Sequence, residues 1–144
     1  MATIEDLLAK KGSFVATVGP NDSVLEAAHR MAQRRIGALC VVDGEKLVGV
    51  ITERDVVNRV VSAGRAPDTT KVSEVMTSDV MSCGLKANTE DCAAVMSCQR
   101  IRHLPVVEED KLVGIVSSGD LMALEVAESH AFIDHLYNYL HGRT

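Results

Sequence analysis

Apolar positions along this chain follow two rhythms, and the same succession of rhythms occurs twice. Val24, Ala28 and Met31 fall at the spacing that lines one face of a helix, just after Ser23-Val24-Leu25-Glu26, which reads as a capping box. The pattern predicts a helix of about three turns. Leu39 to Val42 and Leu47 to Ile51 then read as a hairpin, with a tight turn at Asp43-Gly44 because that dipeptide supplies positive φ angles. The second strand, Leu-Val-Gly-Val-Ile, is almost wholly apolar and β-branched, the pattern of a strand covered on both faces. A further helix is expected from Thr52.

The stretch Ala38 to Val57 aligns without a gap on His103 to Met122, a step of 65 residues. The step also places Ser23 on Asn88, Ala28 on Ala93, Met31 on Met96, Arg35 on Arg100 and Ile36 on Ile101. Asn88 is a good N-cap for the second copy, Glu108-Glu109-Asp110 forms its turn, and its last helix starts at Ser117. Each unit spans roughly 45 to 50 residues, and two copies nearly fill the chain. The fold class that follows is α+β: tandem βαββα repeats packed through their sheets about a pseudo-two-fold axis, with terminal helices. Two half-buried sheets of this size are each marginal alone, so burying one against the other is the expected solution. The chain divides into an N-terminal helix or extension (1–14), repeat one (15–62), a linker (63–71), repeat two (72–126) and a C-terminal helix (127–144). The interval Ser62 to Lys71 is too short to let the copies drift apart. The tail from Asp120 to His141 carries surplus apolar positions, among them Leu121, Leu124, Ala131, Leu136 and Leu140, with Gly142 as a stop. It is expected to pack on the turn Ile4 to Leu8 or across a homodimer interface.

Composition narrows the function. At 144 residues and 47% hydrophobic, the chain can bury a core without staples, and its net charge of −5 disfavours nucleic-acid and anionic-membrane partners. With no apolar run of signal or membrane-spanning length, the expected compartment is the cytoplasm. Cys40, Cys83, Cys92 and Cys98 show no C-x-x-C spacing, so buried free thiols are expected and no metal site is written. No Gly-rich phosphate loop, H-E-x-x-H or nucleophile signature occurs, and His29, His130, His135 and His141 read as surface residues. Catalytic residues are therefore not expected. The aromatics Phe14, Phe132, Tyr137 and Tyr139 all lie outside the repeats, so a base bound between them would rest on aliphatic and backbone groups.

The motifs that carry chemistry are Gly49-Val50-Ile51-Thr52-Glu53-Arg54-Asp55 and Gly114-Ile115-Val116-Ser117-Ser118-Gly119-Asp120, with Ile101-Arg102-His103-Leu104-Pro105-Val106-Val107. The doubled G-h-h-S/T-x-x-D pattern inside a duplicated frame resembles a pair of CBS domains, the repeat of the cystathionine-β-synthase type, over roughly Val15 to Val126. The resemblance implies a cleft between the copies that holds an adenosyl ligand, AMP first, with ATP, ADP, NAD or S-adenosylmethionine as alternatives and no obligatory cofactor. It assigns Thr52, Asp55, Ser117 and Asp120 to the ribose, an ionised carboxylate being able to accept both hydrogens of a diol. It assigns Arg54, Arg102 and His103 to phosphate. Thr17, Val80 and Ser82 belong to candidate pocket-lining strands, Val15 to Thr17 and Val80 to Ser82. Pro105 keeps the family pattern where copy one has Cys40, and the unequal basic residues predict unequal clefts. The resemblance also implies a homodimer, which favours the tail as a dimer interface, and a protein target. The same Thr52-x-x-Asp55 and Ser117-x-x-Asp120 spacing also suits plain helix caps, which leaves a constitutive interaction scaffold as the second reading.

Overall fold

The computed structural model describes residues 2–128 and 130–142. Its elements are α1 (Ile4–Lys11), β1 (Thr17–Val18), α2 (Val24–Arg34), β2 (Ala38–Asp43), β3 (Lys46–Thr52), α3 (Glu53–Val56) continued by a π-helical turn (Val57–Val61), α4 (Val72–Val75), α5 (Thr89–Gln99), β4 (His103–Glu108), β5 (Lys111–Ser117), α6 (Ser118–Glu128) and α7 (His130–Leu140). The fold is α+β: the two copies, βαββα in the first and αββα in the second, share one five-stranded sheet of order β1-β2-β3-β5-β4. At the join Lys46 pairs with Lys111, its own equivalent 65 residues on, as a two-fold axis between the copies requires. The symmetry extends to detail. Arg35 and Arg100 both end their helices in the left-handed region, and both hairpins carry a register shift, at Val41/Val42 and Val106/Val107.

Each copy has its own core. Val18, Val24, Met31, Leu39 and Ile51 are buried together in the first, and Cys92, Met96, Leu104, Val106 and Val116 in the second. Each core is closed by the short helix that precedes the other copy. Ile4, Leu7 and Leu8 of α1 lie in the second core, and Val72 and Val75 of α4 lie in the first. A Cβ on Gly114 would meet Leu8 Cδ1 at 2.6 Å, and one on Gly49 would meet Met76 Sδ at 2.6 Å. Glycine at these points lets helix and strand approach closely. The connection between the copies is tied down. Thr70 is buried with its hydroxyl on the Ala66 carbonyl, while Val24 N and Leu25 N donate to the carbonyls of Thr70 and Pro67.

Several local expectations change. Ser23 caps α2 through the Glu26 N–H, but no box closes, because the Glu26 carboxylate turns outward to Arg30 at 2.9 Å. The first hairpin turns at Gly44-Glu45 rather than Asp43-Gly44, with Gly44 at φ 68, since the register shift lengthens β2 to Asp43. In β3 and β5 only alternate positions are fully buried. The row Val50 and Thr52, like Ile115 and Ser117, stays partly open. Val80 to Ser82 form no strand. Cys40 N donates to the Ala16 carbonyl and so helps join β1 to β2, but Pro105 has no N–H to offer at the equivalent place. Only the bridge Cys83 to Val106 survives there. Cys98 is exposed, unlike buried Cys40 and Cys92, and burial pushes the Cys40 thiol up to about 12. Leu136 and Leu140 of the tail are exposed, and α1 fills its place in the second core without them. The side chains of Ala131, His130 and His135 lie outside the described residues, as do residues 129, 143 and 144.

Candidate functional site

Strands β3 and β5 each run directly into a helix, and the turn places a carboxylate just past the strand end. Thr52 Oγ1 accepts the Asp55 N–H at 3.2 Å, while Asp55 Oδ2 accepts the Thr52 N–H at 3.0 Å. Ser117 and Asp120 repeat this closed box at 3.0 and 2.8 Å. Capping thus uses the same oxygen, Oδ2, in both copies. Neither carboxylate projects into bulk solvent: Asp55 is 7% exposed and the Asp120 side chain 25%. Backbone bonds anchor the two turns alike, Glu53 N to the Gly37 carbonyl and Ser118 N to that of Arg102, both at 2.9 Å.

The surroundings of the two acids then diverge. Asp55 Oδ1 accepts from Thr77 Oγ1 at 3.4 Å and has Arg59 Nε at 3.8 Å. Thr77 is held there by a mutual backbone bridge to Val50. Asp120 is met instead by Lys11, at the end of α1, whose Nζ lies 2.5 Å from Oδ2 and 2.8 Å from the Ile115 carbonyl. Burial acts to raise the Asp120 pKa, but hydrogen bonds from Lys11 and Ser117, with the Lys11 charge, hold the carboxyl below its ordinary value. His103 is half-buried beside it. Burial lowers the imidazole pKa, with Asp120 and Glu53 opposing the shift and Arg102 and Lys11 adding to it.

Of two cavities, only the larger borders these turns, through Arg54 and Ser118, and neither carboxylate lines either one. The larger, about 910 Å³, lies between α5 and α6 and brings Arg54 of copy one together with Arg102 and Ser118 of copy two. The smaller, about 180 Å³, lies between the hairpin of copy one and the segment entering copy two, and Val80 and Ser82 line it with Val48. Thr17 lies apart in β1, its carbonyl accepting from Arg30, and Pro105 is buried in β4. Sequence reading missed three residues here: Arg100, which lines the larger cavity, and Thr77 and Lys11, which face the two acids. The 65-residue step maps Gly12 onto Thr77, so the approach to each repeat was a place to look, although Lys11 carries no motif.

This geometry defines a class: a duplicated module in which each half presents an equivalent capped carboxylate at the junction of its last strand with the following helix. The chain belongs to the CBS domain family, which it matches over residues 3–62 and 72–126. It is similar to the CBS domain-containing protein YhcV of Bacillus subtilis, 37% identical over 91% of each chain. Among solved structures it resembles the CBS-domain containing protein ATU1752 from Agrobacterium tumefaciens, with 38% identity, a TM-score of 0.80 and coverage of 86% of this chain and 99% of that one. It also resembles the CBS domain pair of protein MJ0100, solved in complex with 5-methylthioadenosine and S-adenosyl-L-methionine. That pair is 28% identical with a TM-score of 0.78, covering 89% of this chain and 98% of the other. Among the described residues no helix is long and apolar enough to cross a membrane.

Proposed function

We propose that the protein is a non-catalytic cytoplasmic regulatory module that binds an adenine nucleotide between its repeats, AMP in the first place. The observation that carries this reading is the pair of acids Asp55 and Asp120, equivalent by the repeat, shielded from bulk solvent and capping through Oδ2 alone. The remaining oxygen of each is the acceptor for a ribose diol. Arg54 and Arg102, which line the larger cavity, then serve the phosphate with His103, and Val80 and Ser82, at the smaller cavity, border a second ligand position. A ligand touching both repeats favours one relative arrangement of them, and a target protein reads the change. The MJ0100 pair, bound to adenosyl compounds, supports the ligand class. Val57 and Met122, equivalent by the repeat and both exposed, are an apolar pair suited to a homodimer.

AMP added to the purified chain at a hundred times its dissociation constant stabilises the native state by about 2.7 kcal/mol, read as a rise in Tm. Asp55→Asn and Asp120→Asn keep an acceptor for the cap, and each reduces that rise. The scaffold reading draws on the fully formed caps and on the absence of either acid from the two cavities. It expects no shift with AMP, ADP, ATP, NAD or S-adenosylmethionine. In that case Asp→Ala at either position costs about 1 kcal/mol of stability with or without nucleotide.

A further inference from the structure

The repeat makes Ile115 the equivalent of Val50 and Asp120 the equivalent of Asp55, so the two junctions can be compared group by group. In copy one the Val50 carbonyl is taken by the Thr77 N–H and the Asp55 carboxylate by the Thr77 hydroxyl, both neutral donors. In copy two a single ammonium does both tasks, Lys11 Nζ bridging the Ile115 carbonyl and Asp120 Oδ2. The pair is shielded, with side chains 27% and 25% exposed. The cation beside Asp55 is held differently: the Arg59 guanidinium donates to the carbonyls of Val75 and Met76 and lies 3.8 Å from the carboxylate. The Ser117 N–H and Lys11 together occupy Asp120 Oδ2, which leaves the other oxygen to a sugar diol and sets the ammonium beside any ligand gripped there.

We infer that Lys11 is the specificity-determining residue of the copy-two junction, restricting it to phosphorylated adenosyl ligands, whereas the Asp55 junction accepts neutral or cationic ones as well. The inference rests on the nucleotide reading above. A ligand phosphate gives the neighbouring ammonium a further anionic partner, whereas adenosine supplies none and the sulfonium of S-adenosylmethionine brings a like charge up to it. His103 stands near the same acid, and the charges of Arg102 and Lys11 on one side and Glu53 on the other act on its imidazole. The two junctions thus differ in the charge of ligand they accept, on a nearly identical backbone.

Calorimetric titration of the full chain with AMP, adenosine and S-adenosylmethionine tests this, with Asp120→Asn marking which binding event belongs to copy two. At that site AMP is expected to bind about tenfold or more tighter than adenosine, a ratio typical of one charge-assisted contact. Lys11→Met, checked by unliganded melting for a retained fold, is expected to shrink the ratio to within about threefold, and Lys11→Arg to restore it. An unchanged ratio in a folded Lys11→Met variant overturns the inference while leaving nucleotide binding intact. Failure of every compound to bind the wild-type chain overturns the nucleotide reading, and this inference with it.

Discussion

His103 illustrates how one side chain couples stability to the cleft. Its imidazole is half-buried, and burial lowers its pKa from the ordinary 6.5. The unfolded chain therefore takes up this proton first as the pH falls, so stability drops below about pH 6.5 until the folded-state value is reached. Asp120 acts in the same direction at lower pH, because the stability from its depressed pKa is present above its ordinary 3.8 and is lost as pH falls through the folded value. Urea unfolding at pH 7.5 and 5.5 is expected to show a stability loss in the wild type that His103→Gln reduces. Equal losses in both proteins would remove His103 from the account. Asp55 and Asp120 were legible because the strand, the cap and the doubled motif coincide in a few consecutive residues. Lys11 was not, since its partners Ile115 and Asp120 lie more than a hundred residues away and only the packing of α1 brings them together.

The helices and hairpins were largely readable because their signals are local: Ser23 and Asn88 cap where expected, and the helices after Thr52 and Ser117 start on cue. Burial on the strands was not, because composition alone does not say whether a second layer covers a face. The missing strand at Val80 to Ser82 depends on one absent donor at Pro105, in another element. Close helix–strand contacts are where substitutions should separate the copies. At Gly49 a methyl group would lie 3.0 Å from the Thr77 backbone carbonyl as well as against Met76, whereas at Gly114 it would meet only the flexible end of Leu8. Gly49→Ala is therefore expected to cost about 1–3 kcal/mol in denaturant unfolding, and Gly114→Ala less. The reverse order would mean that the Thr77 bridge yields more readily than the α1 contact.

The chain as assembled leaves apolar side chains uncovered at symmetric places. Val57 is 57% exposed and Met122 64%, and on α7 Tyr139 and Leu140 are also open to solvent. Light scattering is expected to give a dimer, and Val57→Glu with Met122→Glu a folded monomer. A wild-type monomer at high concentration would rule out the assembly proposed for this face. The repeat, its internal symmetry, the βαββα order and the two capped acids could all be read in the residues themselves, because periodicity and short-range capping act over a few positions of chain. Which helix closes which half, that α1 and α4 cross over to the opposite copies, and that a lysine answers one acid where a threonine answers the other, came from the folded arrangement. Those are contacts between distant segments, selected by how apolar faces and charges fit together once both halves are packed.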